Sequence, residues 1–216
     1  PGRDRPEALR RMLVISAKKA LERLREGNLR FASGQGGRDL DFEHSRRKEL
    51  VQDQAPFAVV LGCSDSRVPL ELVFDQGLGD LFVVRVAGNV VSPTQAGSIE
   101  FAASRFATPL VVVMGHSQCG AVSTAIEVLL DGASVDSPNL ESLIERIGPA
   151  VIKARDTGPA GDRAGLVYRA VRENVRSSAV SLLEESALLS GLVEEGRLEI
   201  VCAKYSLETG VVEFFD

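Results

Sequence analysis

Two short polar clusters, at residues 63–67 and 115–120, each follow an apolar run and hold residue types that can do chemistry. The first begins with Cys63, and the second contains His116 and Cys119. Thiolate and imidazole groups are ligands that zinc prefers, and three protein ligands leave the fourth tetrahedral position for water or substrate. We therefore predict that Cys63, His116 and Cys119 form a catalytic rather than a structural zinc site.

Local context separates these residues from the remaining cysteine and histidine. Cys119 is predicted to lie in the first turn of a helix, where free backbone N–H groups and the helix dipole lower a thiol pKa. Cys202 lies inside an apolar strand pattern, so we interpret it as a small buried hydrophobic residue. His44 lies in a charged segment without a nearby ligand partner, so we expect it to face solvent.

Asp65 and Arg67 follow the first cysteine closely and allow two arrangements. The Asp65 carboxylate can fill the fourth zinc position, which closes the site. Alternatively, it can accept a bidentate pair from Arg67, which leaves that position to water. A third interpretation is an ion pair that only supports the loop.

The elements that must position these residues are three short apolar runs at residues 57–61, 81–84 and 110–114. Runs without alternation are typical of parallel strands that are covered on both faces. Residues 92–107 have the spacing of a crossover helix between the second and third strands. Because ligands bind at the carboxyl ends of parallel strands, the two polar clusters are predicted to meet at one site.

The rest of the chain predicts a helical N-terminal part, helices after the third strand, and a C-terminal hairpin with a Gly210 turn. The predicted fold class is α/β, with a mostly parallel central sheet flanked by helices and an antiparallel C-terminal edge strand or hairpin. We predict a single domain over residues 1–216, divided into a helical arm (1–50), a zinc-site core (55–130), helices (139–190) and the hairpin (197–216).

Composition excludes several function classes. A net charge of -5 without long charged blocks gives little support to a nucleic-acid partner or a polybasic membrane role. No stretch approaches the roughly 18 consecutive apolar residues of a membrane span. Three cysteines in 216 residues suit a reducing compartment, so we expect a cytoplasmic protein. The start at Pro1 rather than Met leaves room for residues upstream.

The polar clusters and the segment between them resemble the β-class carbonic anhydrases. The similarity rests on Cys63-Ser-Asp-Ser-Arg67-Val, Phe82-Val-Val-Arg-Val-Ala-Gly-Asn89 and His116-Ser-Gln-Cys119-Gly120. It runs from about residue 54 to residue 120 and is weaker in the N-terminal helix and the final hairpin. It implies zinc held by the two cysteines and the histidine of these clusters, with Asp65 and Arg67 as the family's Asp–Arg dyad.

Further site residues follow from the resemblance. Gln54 stands where plant-like members have a glutamine that hydrogen-bonds CO2 or bicarbonate. Phe82, Ala87 and Phe101 fall where that subgroup lines its apolar CO2 pocket, and Gly120 offers a backbone N–H. Ala87 replaces a larger aliphatic residue of the plant pattern and Phe101 replaces a tyrosine, which predicts a slightly altered pocket. Core packing is the other interpretation of each.

The other subgroup carries a tryptophan shortly before the first zinc cysteine, as part of a noncatalytic bicarbonate site. This chain has Val60 there and no Trp at all. We therefore expect it to lack that regulatory site and to keep Asp65 paired with Arg67, with zinc open to water near neutral pH.

The implied reaction is reversible hydration of CO2 to bicarbonate and a proton by zinc-bound hydroxide. Because fold and metal do not fix the substrate, hydrolysis of a related molecule such as CS2 is one alternative, and a catalytically silent zinc-binding protein is another. The resemblance also implies a homodimer or homotetramer, with the N-terminal helix packed on the neighbouring subunit and the site near the interface.

Overall fold

The protein is described by a computed structural model that covers residues 15–37, 44–159 and 161–216, without the side chains of residues 44–46. Its elements in chain order are α1 (Ala17–Ala32), α2 (His44–Glu49), β1 (Ala58–Gly62), α3 (Leu70–Val73), β2 (Leu81–Arg85), a 3-10 turn (Ala87–Asn89), α4 (Pro93–Phe106), β3 (Leu110–His116), α5 (Gly120–Asp131), α6 (Pro138–Asp156), α7 (Arg163–Glu185), α8 (Ala187–Glu194), β4 (Glu199–Tyr205) and β5 (Val212–Phe215).

Five strands form one sheet in the order β2-β1-β3-β4-β5. Strands β2, β1, β3 and β4 are parallel to one another, and β5 runs antiparallel to β4 at the edge of the sheet. Every residue of β1 and β3 is buried, as expected for central strands with no polar alternation. The predicted fold class, including the antiparallel C-terminal edge, is therefore confirmed.

Successive side chains of the central strands point to opposite faces of the sheet, and each face has its own layer of helices. Val60 and Val112 lie on the face that is covered by α1 and α3. Val59 and Val111 lie on the other face, against α4, α7 and α8. The strands are therefore held rigidly from both sides, which fixes the positions of the residues at their carboxyl ends.

Helix α1 begins at an N-cap, where Ser16 Oγ accepts a hydrogen bond from the Lys19 N–H at 3.3 Å. Its buried Asn28 links distant parts of the chain. The Asn28 amide nitrogen donates to the carbonyls of Val73 and Gly210, and its oxygen accepts from the Val212 N–H at 2.8 Å. One polar side chain thus ties α1 to α3 and to the β4–β5 hairpin.

A second link from α1 is the ion pair between Arg30 and the buried carboxylate of Asp75, 2.5 Å apart. Asp75 also accepts a hydrogen bond from the Gly37 N–H at 2.7 Å. Burial raises the pKa of Asp75, but the hydrogen bonds from Gly37 and Arg30 outweigh it, so the net pKa lies below its ordinary value. The carboxylate therefore stabilises the fold in its charged form.

Replacing Asp75 by Asn should cost about 2 kcal/mol at pH 7, because Arg30 and the Gly37 N–H lose a charged acceptor. A lowered folded pKa gives stability that is present above the unfolded pKa of about 4 and lost as pH falls through the folded value. The difference between wild type and variant in urea unfolding should therefore stay constant from pH 7 to 5 and shrink below pH 4. Glu195→Gln, which removes an exposed pair with Arg197, should change stability little.

Two local features differ from the sequence prediction. The last part of the predicted helical region 139–190 contains a break, because Ser186 leaves the helical conformation between α7 and α8. Ser186 caps α8 by accepting a hydrogen bond from the Leu189 N–H. The four-residue helix α3 was not predicted, since so short a segment shows no period. Residues 1–14 and 38–43 of the predicted helical arm lie outside the described residues.

Among the described residues, no helix combines the length and the apolar character that a membrane span needs.

Candidate active site

Strand pairing brings the two polar clusters together. In the register of β1 and β3, Gly62 lies opposite Met114, so Cys63 emerges beside the carboxyl end of β3. His116 is the last residue of that strand, and Cys119 is the N-cap of the following helix, α5. The convergence predicted from the sequence is therefore present in the structure.

The three side chains offer their donor atoms to one point. Three donor atoms, one from each residue, lie within 4.8 Å of one another, and the two Sγ atoms of Cys63 and Cys119 are 4.0 Å apart. All three residues are buried, with 5%, 0% and 1% of their surfaces exposed. No other group of this kind occurs in the described part of the chain.

His116 is held with one ring nitrogen facing the thiols. Its Nδ1 lies 2.9 Å from the Ser117 carbonyl oxygen, which can only accept, so Nδ1 carries the proton. The Nε2 atom therefore presents its lone pair, and this buried atom has no hydrogen-bond partner among the described residues. A backbone acceptor on one nitrogen and a bare lone pair on the other is the arrangement of metal-ligating histidines.

The two thiols differ in ionisation because they share one site. The two Sγ atoms share a hydrogen bond in which either thiol can donate, and this contact lowers the pKa of Cys63, as does a hydrogen bond from the Gly88 N–H. The Cys63 thiolate, together with burial, raises the pKa of Cys119. A second thiolate at this place therefore needs a cation, so the donor set fits a zinc ion held by two thiolates and one imidazole.

Asp65 and Arg67 form the pair predicted from the sequence. Arg67 Nε and Nη2 donate to the two carboxylate oxygens of Asp65 at 2.9 and 2.7 Å, and the Arg67 backbone N–H donates to the same carboxylate. These hydrogen bonds hold the pKa of Asp65 well below its ordinary range. Asp65 Oδ2 also lies 3.8 Å from His116 Nε2, so the ionised carboxylate borders the space between the donor atoms.

A second arginine supports the backbone of the first cluster and was missed by sequence reasoning. Arg85 donates from Nε to the Cys63 carbonyl at 3.0 Å and from Nη2 to the Asp65 carbonyl at 2.6 Å. The sequence feature that could have identified it is a charged residue at the end of an apolar strand. The strand register places Arg85 opposite Gly62, next to Cys63. Arg85 thereby fixes the course of the chain between the first donor and the carboxylate.

Ala87 lies next to the site, in the 3-10 turn that follows β2. The neighbouring Gly88 has a φ of 70°, and its N–H points at Cys63 Sγ at 3.4 Å. A Cβ on Gly88 would lie 2.8 Å from Ile147, so both the conformation and the space favour glycine. The buried Asn174 on α7 donates a hydrogen bond to the Gly88 carbonyl at 2.6 Å and so fixes the turn to that helix.

Gly120 lies directly after Cys119, as the exposed first residue of α5. Its backbone N–H belongs to the first turn, where helix N–H groups have no partner within the helix. The N–H groups of Ala121 and Val122 in the same turn lower the pKa of Cys119, although this effect is smaller than those of Cys63 and burial. Gly120 therefore borders the donor cluster.

The structure does not bring the other three predicted substrate-binding residues to this cluster within one chain. Phe82 pairs with Val59, three residues before the carboxyl end of β1, and a strand rises about 3.3 Å per residue, so it lies about 10 Å from that end. The Phe82 and Phe101 rings lie 6.3 Å apart, and both contact the ring of Phe106. Gln54 lines a cavity of about 560 Å³ beside Phe106.

The sequence places Cys202 and His44 outside the proposed zinc site. Cys202 is buried in β4 as predicted, with 9% of its surface exposed. The side chain of His44 lies outside the described part of the structure.

Comparison with known proteins agrees with this geometry. A family model described as carbonic anhydrase matches residues 58–212. Carbonic anhydrase 2 of Mycobacterium tuberculosis is 38% identical over 192 residues, which cover 88% of this chain and 89% of that protein.

Solved structures show the same architecture. The β-carbonic anhydrase CcaA is 25% identical and superposes with a TM-score of 0.74, covering 91% of this chain and 95% of the other. One of two tetrameric β-carbonic anhydrases from Sordaria macrospora, at 22% identity and a TM-score of 0.70, covers 91% and 97%. With the family model spanning most of the sheet and both polar clusters, the chain belongs to the β-class carbonic anhydrases.

Proposed function

We propose that this chain catalyses the reversible hydration of CO2 to bicarbonate and a proton, with a zinc ion held by Cys63, His116 and Cys119. The observation that carries the proposal is the convergence of three buried donor atoms within 4.8 Å, one of which is the unpartnered Nε2 of His116. A bound zinc ion supplies a Lewis acid that lowers the pKa of a water molecule to about 7.

The chain's own residues set the conditions for that chemistry. Two thiolates neutralise the dication, and Ser117 holds the imidazole in the tautomer that leaves Nε2 free. Two thiolates donate more charge than imidazoles do, so they acidify water less, and the Asp65 carboxylate has to help.

Asp65 is the acceptor that orients the attacking oxygen. Arg67 occupies both carboxylate oxygens with short hydrogen bonds, so the carboxylate stays ionised and fixed while Oδ2 still faces the donor cluster. In this position it accepts a hydrogen bond from water and aims a lone pair of that water at CO2. Paired with Arg67, the carboxylate would not serve as a fourth zinc ligand, so that position would be open to solvent.

Gln54, Phe82 and Phe101 contribute to substrate binding only if a second copy supplies them. In one chain they lie at the opposite ends of β1 and β2 from the donors, around an exposed aromatic cluster in which Phe101 is 52% exposed. We propose a homodimer or homotetramer that places this cluster against the partner's donor site. The tetrameric Sordaria relatives support such assembly. Sedimentation velocity should show a dimer or larger species, and a fully active monomer would contradict this.

The chain is proposed to be of the plant-like type, without the second bicarbonate site of the other subgroup. The residue at the place of that subgroup's tryptophan is Val60, which is completely buried in β1.

We further propose that residues 1–216 act as one domain, since the donors come from the ends of two adjacent strands of a single sheet.

Stopped-flow hydration of CO2 by zinc-quantified protein, run beside a CS2 hydrolysis assay, tests the proposed function. We expect one zinc per chain and CO2 turnover far above the buffer rate, without comparable CS2 turnover. Bound zinc with no CO2 turnover would identify a silent zinc-binding protein, and preference for CS2 would identify the other alternative substrate.

A further inference from the structure

A carboxylate outside the donor cluster, Glu208, contacts the segment that joins two of the donors. Glu208 lies in the turn between β4 and β5. Its Oε2 accepts a hydrogen bond from Ser117 Oγ at 2.7 Å, and its Oε1 accepts from Gln118 Nε2 at 2.7 Å. Ser117 and Gln118 are the only residues between His116 and Cys119. One side chain therefore fastens the whole connection between two proposed zinc ligands.

That connection has an unfavourable backbone conformation. Gln118 has a φ of 53°, in the left-handed region that non-glycine residues rarely adopt. Such a conformation persists only where the surroundings fix it, and it is common at functional sites. The hydrogen bond from the Gln118 side chain to Glu208 is one such restraint. The short turn lets Cys119 and His116 direct their donor atoms at the same place.

Both residues that Glu208 holds contact the site through their carbonyl oxygens. The Ser117 carbonyl accepts the Nδ1 proton of His116 and so sets the direction of Nε2. The Gln118 carbonyl accepts a hydrogen bond from Arg67 Nη2 at 3.4 Å. Movement of this segment would therefore turn the imidazole and shift the arginine that pairs with Asp65.

Glu208 is exposed, and further hydrogen bonds of the hairpin restrain its position. Ser206 Oγ donates to Glu208 Oε2 at 3.0 Å, and the Leu207 N–H donates to Ser117 Oγ at 2.9 Å. The Ser117 N–H in turn donates to the carbonyl of Tyr205, the last residue of β4, at 2.9 Å. The turn and the segment after β3 thus form one hydrogen-bonded unit.

We propose that Glu208 is a positioning residue, which sets the geometry of His116 and Cys119 for zinc by fixing Ser117 and Gln118. Its side-chain hydrogen bonds in the described structure are with Ser117, Gln118 and Ser206, and not with a donor atom. The inference rests on the proposed zinc site and extends it to the C-terminal hairpin, about 90 residues further along the chain.

The test compares Glu208→Ala and Glu208→Gln with Glu213→Ala. Glu213 lies in the same hairpin but pairs with Arg172 on α7, so its removal weakens the hairpin without touching the segment after β3. The zinc dissociation constant is measured by competition with a chromophoric chelator, the visible spectrum is recorded with Co2+ in place of zinc, and Tm is recorded for every variant.

Loss of a direct partner of a metal ligand costs about 10- to 100-fold in metal affinity. Glu208 acts one contact further away, through Ser117 and Gln118, so Glu208→Ala should weaken zinc binding by about 10-fold, the lower end of that range, and shift the Co2+ spectrum. Glu208→Gln, which keeps one acceptor oxygen, should fall between wild type and Ala, and it preserves the test if the Ala variant does not fold. Glu213→Ala should lower Tm while leaving zinc affinity within 2-fold of wild type.

Zinc affinity and Co2+ spectra unchanged in both Glu208 variants would overturn this inference while leaving the proposed function intact. Equal losses in Glu208→Ala and Glu213→Ala would show that Glu208 only stabilises the hairpin. A wild-type protein that binds no zinc would overturn the proposed function and this inference together.

Discussion

Cys119→Ser should release the zinc ion and abolish CO2 hydration. A serine hydroxyl does not ionise as a thiol does, so the site would keep only one thiolate and one imidazole, fewer than the three protein ligands of catalytic zinc sites. Loss of a residue that only orients a metal ligand weakens metal binding by about 10- to 100-fold. Loss of the ligand itself should therefore weaken zinc binding by more than about 100-fold. Chelator competition and metal quantitation after dialysis measure this loss.

Cys202→Ser is the matched control for that substitution. Cys202 is buried in β4 and does not belong to the donor cluster. Its replacement should lower Tm, because a hydroxyl is then buried, while zinc content and CO2 turnover stay at wild-type values. Full zinc occupancy in Cys119→Ser would show that the metal is held elsewhere, which the proposed ligand set does not allow.

Asp65→Asn should keep zinc but lower kcat/KM for CO2 hydration by about 100-fold or more. The amide keeps the shape of the carboxylate but loses its charge, and one of its two polar atoms becomes a donor. Arg67 then faces a neutral partner, and the attacking oxygen loses the charged acceptor that orients it. Stopped-flow hydration with zinc-normalised protein measures the effect.

A matched control for this variant is Asp131→Asn, which also removes a carboxylate from a bidentate arginine pair. Asp131 pairs with Arg163 on the surface, at the end of α5 remote from Cys119. The Asp131→Asn variant should hydrate CO2 at the wild-type rate. Near-normal turnover of zinc-loaded Asp65→Asn would remove Asp65 from the mechanism, although the zinc site would stand.

Much of the fold was predictable because it rests on local patterns. Strands β1, β2 and β3 are continuous apolar runs, although β2 lies at the edge of the sheet and is only partly buried, unlike β1 and β3. Parallel strands place the residues after their carboxyl ends at one edge of the sheet. For that reason Cys63 and His116, 53 residues apart in sequence, were expected to be neighbours. Asp65 and Arg67 were paired from their spacing, and the structure shows that pair.

Contacts made by long side chains could not be predicted in this way. Arg85 and Asn174 donate to backbone carbonyls of distant segments, and Glu208 accepts from the side chains of Ser117 and Gln118. Nothing in their local sequence identifies those partners. The position of Phe82 along β2 depends on strand register, which the apolar pattern leaves open. The resemblance placed Phe82 in a pocket without specifying which copy of the chain supplies it.

In the proposed site, two thiolates and one imidazole hold zinc while solvent takes the fourth position. Zinc-edge X-ray absorption of the wild type and Asp65→Asn at pH 7.5 identifies these ligands. We expect two sulfur atoms at about 2.3 Å, one nitrogen at about 2.0 Å and one light atom, with the same spectrum from both proteins. A single sulfur ligand, or an oxygen that disappears in Asp65→Asn, would contradict this ligand set.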